Sequence, residues 1–230
     1  MHLAVGVGLV MLFCTSPANA QDFRTDFQQI FSPFYGNASL NMEMEYRWFE
    51  GDAEEAKEVA QAQYSRVGGQ VYSRLGHLEM IQEGEFTLTV DHQEKMVILQ
   101  RLAEGQQSMM FGAPMADTLL QFYQGVQYDE PSPGLARYRF SFEGYPGYES
   151  GELWFRPATH QLARYVISLD QPGTGKARFE IHVNQIQQGN IPTSASQKAQ
   201  ISRFLATPYS EGRLRSSVST YRFVYLNNQQ

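Results

Sequence analysis

Between Arg137 and Val183, apolar and polar residues alternate with a period of two through four successive segments. These are Arg137–Phe142, Gly151–Arg156, Leu162–Leu169 and Ala177–Val183. A Gly/Pro/Tyr loop, the turn Pro157–Gln161 and a glycine-rich turn separate them. Period two sends neighbouring side chains to opposite sides of the backbone, so each segment reads as a strand with one dry and one wet face. Consecutive strands joined by short turns pair antiparallel as a meander. This half of the chain is therefore expected to be one curved sheet.

The same rhythm runs upstream. Leu40, Met42, Met44, Tyr46 and Trp48 alternate with Asn41, Glu43, Glu45, Arg47 and Phe49, which predicts a long strand with a strongly apolar face. Gly51–Ala62 is charged and Ala-rich, a hairpin tip or helical turn. Shorter strand candidates follow at 63–67, 70–75 and 78–81. The clearest hairpin joins Phe86–Asp91 to Lys95–Arg101 through Asp91-His92-Gln93-Glu94.

Helical spacing replaces this rhythm in a few places. Phe23, Phe27, Ile30 and Phe31 share one face of a short helix over 21–34, ended by Pro33 and the Tyr35-Gly36-Asn37 turn. Leu119, Leu120, Phe122 and Tyr123 suggest a second helix over 115–124, with Gly125 as its stop. A soft loop, Met109-Met110-Phe111-Gly112, precedes it. Thr193–Leu205 is polar and weakly helical, and Arg213–Leu226 predicts a last long strand. The expected fold is mainly β, a curved antiparallel sheet forming an open half-barrel with a few short covering helices. Residues 21–230 form one domain in this reading.

Residues 1–20 are set aside. Leu3–Phe13 is an apolar and glycine run of signal-peptide length, and Ala18-Asn19-Ala20 is an Ala-x-Ala cleavage pattern. The run is too short to span a bilayer as a helix. A periplasmic or secreted protein follows, with no membrane-spanning segment in the mature chain. The sole cysteine, Cys14, has Phe13 before it, where a lipid-modified cysteine needs a small residue. It is therefore expected to leave with the signal, so the mature chain has neither disulfides nor thiolate chemistry. A formal net charge of -6 argues against nucleic acid as a partner.

Catalytic signatures are missing. His77, His92, His160 and His182 are scattered without metal-ligand spacing. His92 and His160 fall in turns, where a solvated imidazole is expected, and His182 falls on the wet face of a strand. No G-x-S-x-G elbow is present. Gly173-Thr-Gly-Lys176 lacks the rest of a phosphate loop and has Ala177 where Ser or Thr would bind magnesium. The carboxylates, with Glu43 and Glu45 on a wet face and Glu50 to Glu55 at a tip, single out no facing pair. The expectation is a non-enzymatic protein without cofactor.

What remains is apolar surface. Aromatics make up 13% of the chain and nine methionines are present, more than a sheet needs if one side alone is covered. Such a sheet curls on itself or leaves an apolar cavity under its helices. The hairpin Gly151-Glu-Leu-Trp-Phe-Arg-Pro-Ala-Thr-His-Gln-Leu-Ala-Arg-Tyr165, with its aromatic strand, Pro-x-Thr turn and Leu-x-Arg continuation, resembles the outer-membrane lipoprotein carrier (LolA-like) family and its lipoprotein-receptor relatives. Thr89-Val-Asp91 and Lys95-Met-Val97 are similar to that family's hairpin before its helix region. The resemblance implies a half-barrel whose cavity takes a lipid or lipoprotein acyl chain, lidded by helices. Met42, Met44, Trp48, Met109, Met110, Phe140 and Trp154 are the candidate lining. The rival expectation is a structural or interaction module of an envelope complex, with a protein partner and the aromatic face as core.

Overall fold

The computed structural model describes residues 22–35, 38–102, 122–144, 146–171, 175–191, 193–206 and 212–226. Among these residues, twelve strands run in chain order: β1 (Leu40–Glu50), β2 (Glu58–Val67), β3 (Gln70–Leu75), β4 (Leu78–Glu83), β5 (Phe86–Asp91), β6 (Met96–Arg101), β7 (Tyr123–Ser132), β8 (Leu135–Phe142), β9 (Tyr148–Arg156), β10 (Gln161–Gln171), β11 (Gly175–Gln188) and β12 (Arg222–Leu226). Helix α1 (Phe23–Tyr35) precedes them, and α2 (Thr193–Lys198) follows β11. All twelve strands belong to one open sheet, ordered β12-β6-β5-β4-β3-β2-β1-β11-β10-β9-β8-β7. The first and second meanders meet where β1 pairs antiparallel with β11, Leu40 opposite Gln188. The expected mainly β, unclosed architecture is thus the observed one.

Several boundaries differ from the sequence reading; β2, for one, begins at Glu58, inside the charged stretch read as a hairpin tip or helical turn. Pro33 lies inside α1 rather than ending it. The proline nitrogen cannot donate to the Gln29 carbonyl, and the Ser32 hydroxyl donates there instead at 2.9 Å. Tyr123 and Gln124 begin β7 rather than closing a helix, while 115–121 lie outside the described residues. Gly125 stands within β7 at φ +60°, where the pairing with β8 shifts register, so this glycine serves a bulge and not a helix stop. The expected long strand over 213–226 is in fact a 3-10 turn at Ser216–Val218 followed by the five-residue β12. That strand pairs parallel with β6.

Register shows which side chains share a face. Tyr64 stands opposite Ser73 and Ser65 opposite Tyr72, so Tyr64 and Tyr72 point to opposite sides of the sheet. Two cores result. One, on the α1 side, gathers side chains from β1, β2 and β7 to β11 around the helix. The other lies on the outer side, where Tyr72, Ile81, Leu88, Val90, Val97 and Leu99 are buried under Ile201, Phe204 and Val218 of the C-terminal segment. Alternation in β3 to β6 is thus real, but its dry face is the reverse of that in β1.

A buried carboxylate clamps this segment down. Glu79, 3% exposed, accepts a hydrogen bond from Arg203 Nη1 at 2.6 Å and pairs with His92 Nε2 at 2.9 Å. The other ring nitrogen of His92 meets the Tyr221 hydroxyl at 3.1 Å. His92 therefore bridges two parts of the fold instead of standing solvated in its turn.

On the opposite side, the backbone of Gly151 is closely packed. A Cβ there would come within 2.5 Å of the Phe140 ring and 3.2 Å of the Val166 carbonyl oxygen. Phe140 is 3% exposed and cannot retreat. Gly151→Ala is expected to lower stability by about 1–2 kcal/mol, measured as a lowered midpoint in equilibrium urea unfolding.

Candidate functional site: the helix-covered aromatic face

Helix α1 is capped by Asp22, whose carboxylate accepts from the Arg24 and Thr25 amides at 3.1 and 3.4 Å. This is the local signal that opens a helix before an apolar stripe. The stripe, Phe23, Phe27, Ile30, Phe31 and Phe34, turns onto the sheet. Its rings join those of the strands in a continuous aromatic layer. Phe23 meets Tyr138 edge-on at 4.9 Å, Tyr123 stacks on Phe140 at 4.2 Å, and Tyr138 lies parallel to Phe155 at 5.6 Å. Offset and edge contacts of this kind add to plain area burial.

Side-chain polar contacts hold the helix to the sheet near each end. At the C-terminal end, Arg66 of β2, 9% exposed, donates through Nη2 to the Pro33 carbonyl at 2.7 Å and through Nη1 to that of Phe34 at 2.9 Å. Its Nε donates to the Ala38 carbonyl at 3.1 Å. The last carbonyls of a helix lack intrahelical partners and carry partial negative charge, so a guanidinium suits them. In the first turn, Asp26, 6% exposed, accepts from the Tyr138 hydroxyl at 2.5 Å and pairs with His160 Nε2 at 3.3 Å. His160, expected to be solvated, therefore ties the β9–β10 turn to the helix.

Three phenols of this layer, Tyr138, Tyr46 and Tyr165, are held neutral. Burial, with the adjoining Asp26 carboxylate, pushes Tyr138 far above its ordinary range. Burial raises Tyr46 to about 12. It raises Tyr165 to about 12 as well, against the opposing hydrogen bond with the Tyr123 hydroxyl 3.2 Å away. These groups supply contact surface and hydrogen-bond donors at neutral pH, not phenolate.

Of the candidate lining residues, Met42, Met44 and Phe140 lie in this buried layer. Trp48 has the parity of Met42 and Met44 along β1; it is half-buried, with its ring 6.4 Å from Phe179. Met109 and Met110 lie outside the described residues. Trp154 corrects the expectation. It stands opposite Arg137 and Arg164 on the outer side of the sheet, while its neighbours Leu153 and Phe155 face α1. Sequence reasoning missed Arg66, Asp26, Tyr138 and His160. Arg66 left a legible trace: it is a charge at the parity of Ala62 and Tyr64, where an apolar side chain is expected.

Among solved structures, the fold is similar to an uncharacterized conserved protein from Thermus thermophilus, at TM-score 0.48 and 8% identity over 88% of this chain and 98% of that one. A LolA superfamily structure is also among its likenesses. That protein, from Nitrosomonas europaea, matches at TM-score 0.32 and 9% identity over 74% of this chain and 95% of that one. MucB in the Pseudomonas aeruginosa MucA/MucB complex matches at TM-score 0.44 and 13% identity, over 76% of this chain but 59% of that one. No protein-family model and no curated protein matches the sequence. Among the described residues, no helix is long and apolar enough to cross a membrane.

Proposed function

We propose that the aromatic face is a binding surface for a lipid or lipoprotein acyl chain, with α1 as its removable cover, in a non-catalytic carrier of the cell envelope. One observation carries this reading. Among the described residues, a continuous aromatic face of the sheet is covered by α1, which is tied to the sheet by polar side chains near its two ends.

The energies of cover and ligand are similar. Phe27, Ile30 and Phe34 at about 1.5–3 kcal/mol each, with smaller shares from the half-buried Phe23 and Phe31, contribute roughly 9 kcal/mol of burial. An acyl chain burying about ten methylenes in the same place would recover roughly 8 kcal/mol before ordering costs. The apolar parts of the exchange are thus of similar size, and the polar contacts near the two ends of α1 bias it towards the covered state. The periplasm is the proposed compartment, after removal of residues 1–20.

The test is titration of the purified chain with a fluorescent fatty acid, with hydrogen exchange followed by mass spectrometry. Saturable one-to-one binding, together with faster exchange across residues 23–35, is the expected result. A second reading rests on a different aspect of the same face: it is already filled by α1, as the permanent core of an envelope interaction module would be. Absence of binding at every chain length tested, with exchange over 23–35 unchanged, would overturn the carrier and favour this module.

A further inference from the structure

The C-terminal segment that covers the outer side of β3 to β6 differs in charge from the rest of the chain. Residues 193–230 hold five cations, Lys198, Arg203, Arg213, Arg215 and Arg222, against one acid, Glu211, on a chain of formal charge -6. Arg222 leaves this side, with its Nη2 at 3.0 Å from the Met96 sulfur across the sheet from Val97. The strands beneath are balanced, Arg74 and Arg101 against Glu79 and Glu83 at the outward positions. Glu85 pairs with Arg101 at 2.8 Å, and Glu94 and Lys95 in the β5–β6 turn offset each other. With Glu85 and Glu211 both counted, this side keeps an excess of two positive charges, and the segment carries it.

A cleft of about 570 Å³ opens within the segment, between the 3-10 turns Ile201–Arg203 and Ser216–Val218. Ser202, Arg203, Arg215 and Ser217 line it together with the buried Phe204 and Val218, and no carboxylate does. Backbone contacts fix the spacing of its walls. The Arg215 amide donates to the Phe204 carbonyl and the Ala206 amide to that of Arg213, both at 2.7 Å. Arg203 is held from below, where Nη1 donates to Glu79 at 2.6 Å and to the Lys198 carbonyl at 2.8 Å. Its guanidinium lies 4.9 Å from the centre of the Phe204 ring. The N–H groups on Nε and Nη2 meet no acceptor among the described residues. Arg215 is exposed, and no carboxylate pairs with it among the described residues.

We propose that this cleft binds a phosphate ester. Two guanidiniums and two hydroxyls on facing turns offer donors from several directions, which suits the three free oxygens of a tetrahedral anion. A planar carboxylate would engage one fork and leave the other wall unused. Glu79 offsets the charge of Arg203 and fixes its position, so little freedom is lost there on binding. Arg215 supplies the charge that nothing in the cleft neutralises. The volume exceeds what a bare phosphate fills and is that of a small-molecule site, so the organic part of the ester lies beside Phe204 and Val218. Exposure of Ser202, Arg215 and Ser217 lets the group arrive on a soluble molecule or on a phospholipid headgroup. This inference is independent of whether α1 covers a lipid site.

The test is titration of the isotope-labelled chain with glycerol 3-phosphate at constant ionic strength, followed by amide NMR shifts. Flotation with phosphatidylcholine vesicles, with and without phosphatidylglycerol, runs beside it. Saturable shifts centred on residues 202–204 and 215–218 are the expected result, with acetate producing none of them. Arg215→Gln should weaken binding roughly tenfold, and Ser217→Ala should weaken it less. Both positions are exposed, so an unchanged thermal midpoint is the check that each variant is folded. Arg203 is left in place because it also clamps the segment to Glu79. Arg213→Gln removes an equal charge outside the cleft and should leave binding almost unaltered. A response to glycerol 3-phosphate assigns the site to a soluble ester. Capture by phosphatidylglycerol vesicles alone, lost in Arg215→Gln and kept in Arg213→Gln, assigns it to a headgroup. No response to either probe overturns the proposal, as does equal loss in Arg213→Gln and Arg215→Gln, or equal shifts with acetate.

Discussion

Arg66→Met should lower the stability of the protein by about 3 kcal/mol and speed its uptake of a fluorescent fatty acid. The guanidinium donates to three carbonyls within 3.1 Å, and hydrogen bonds from a charged donor are individually worth about 1.5–3 kcal/mol. Methionine fills similar space without donating, so the loss is polar and not a cavity. The carbonyls of Pro33 and Phe34 are left facing a buried surface, and the C-terminal end of α1 is freed. Urea unfolding measures the first effect, and stopped-flow mixing with the probe measures the second. A stability loss with no change in uptake rate would reduce Arg66 to a structural cap and remove α1 as a gate.

Glu180→Gln is the second large effect. Burial by itself would raise this carboxyl, but the His182 hydrogen bond and the Arg164 and Arg178 guanidiniums outweigh it and hold Glu180 below its ordinary value. Neutralising it leaves two arginines crowded around a buried site without their shared anion. Removing one partner of a buried pair costs about 3–5 kcal/mol. Arg164 and Arg178 are each 31% exposed, and water relieves part of that, so a loss of about 3 kcal/mol is expected. The pH dependence has a definite sign. A carboxyl with a lowered native pKa contributes its full stability above the ordinary value of 4.5 and loses it as pH falls through the native value. The acid limb of the stability profile below that pH should therefore be shallower in Glu180→Gln than in the parent. Parallel profiles would show that the ionisation of Glu180 does not contribute.

Much of the sheet was legible because period two is a local property. β1, the hairpin β5–β6 and the meander β8 to β11 all fall where alternation places them. What alternation does not encode is which side of the sheet is inside. Tyr64 and Tyr72 lie in adjacent, similarly patterned strands and serve opposite cores. That difference is decided by α1 and the C-terminal segment, both distant in sequence. The same ambiguity misplaced Trp154: a tryptophan among Leu153 and Phe155 looks like lining until Arg137 and Arg164 are found beside it. The histidines failed for a related reason. A turn position says nothing about a carboxylate such as Asp26, more than a hundred residues away in the chain. Parallel pairing of β12 with β6 likewise left no local trace, since a short strand at a sheet edge carries little pattern of its own.

The pairing of β1 with β11 has a consequence for how the chain is born. The first six strands are successive hairpins and can assemble as soon as they emerge. The second edge of β1, however, waits for residues 175–188. The outer core over β3 to β6 waits longer still, for Ile201 through Val218. Until then a partly made chain presents two bare strand edges, those of β1 and β6, and two greasy surfaces on opposite sides, the kind of intermediate that self-associates. Closing contacts across so long a separation is slow. A chain built in this way gains from being delivered whole before it folds, and from an escort that shields it until its last forty residues arrive.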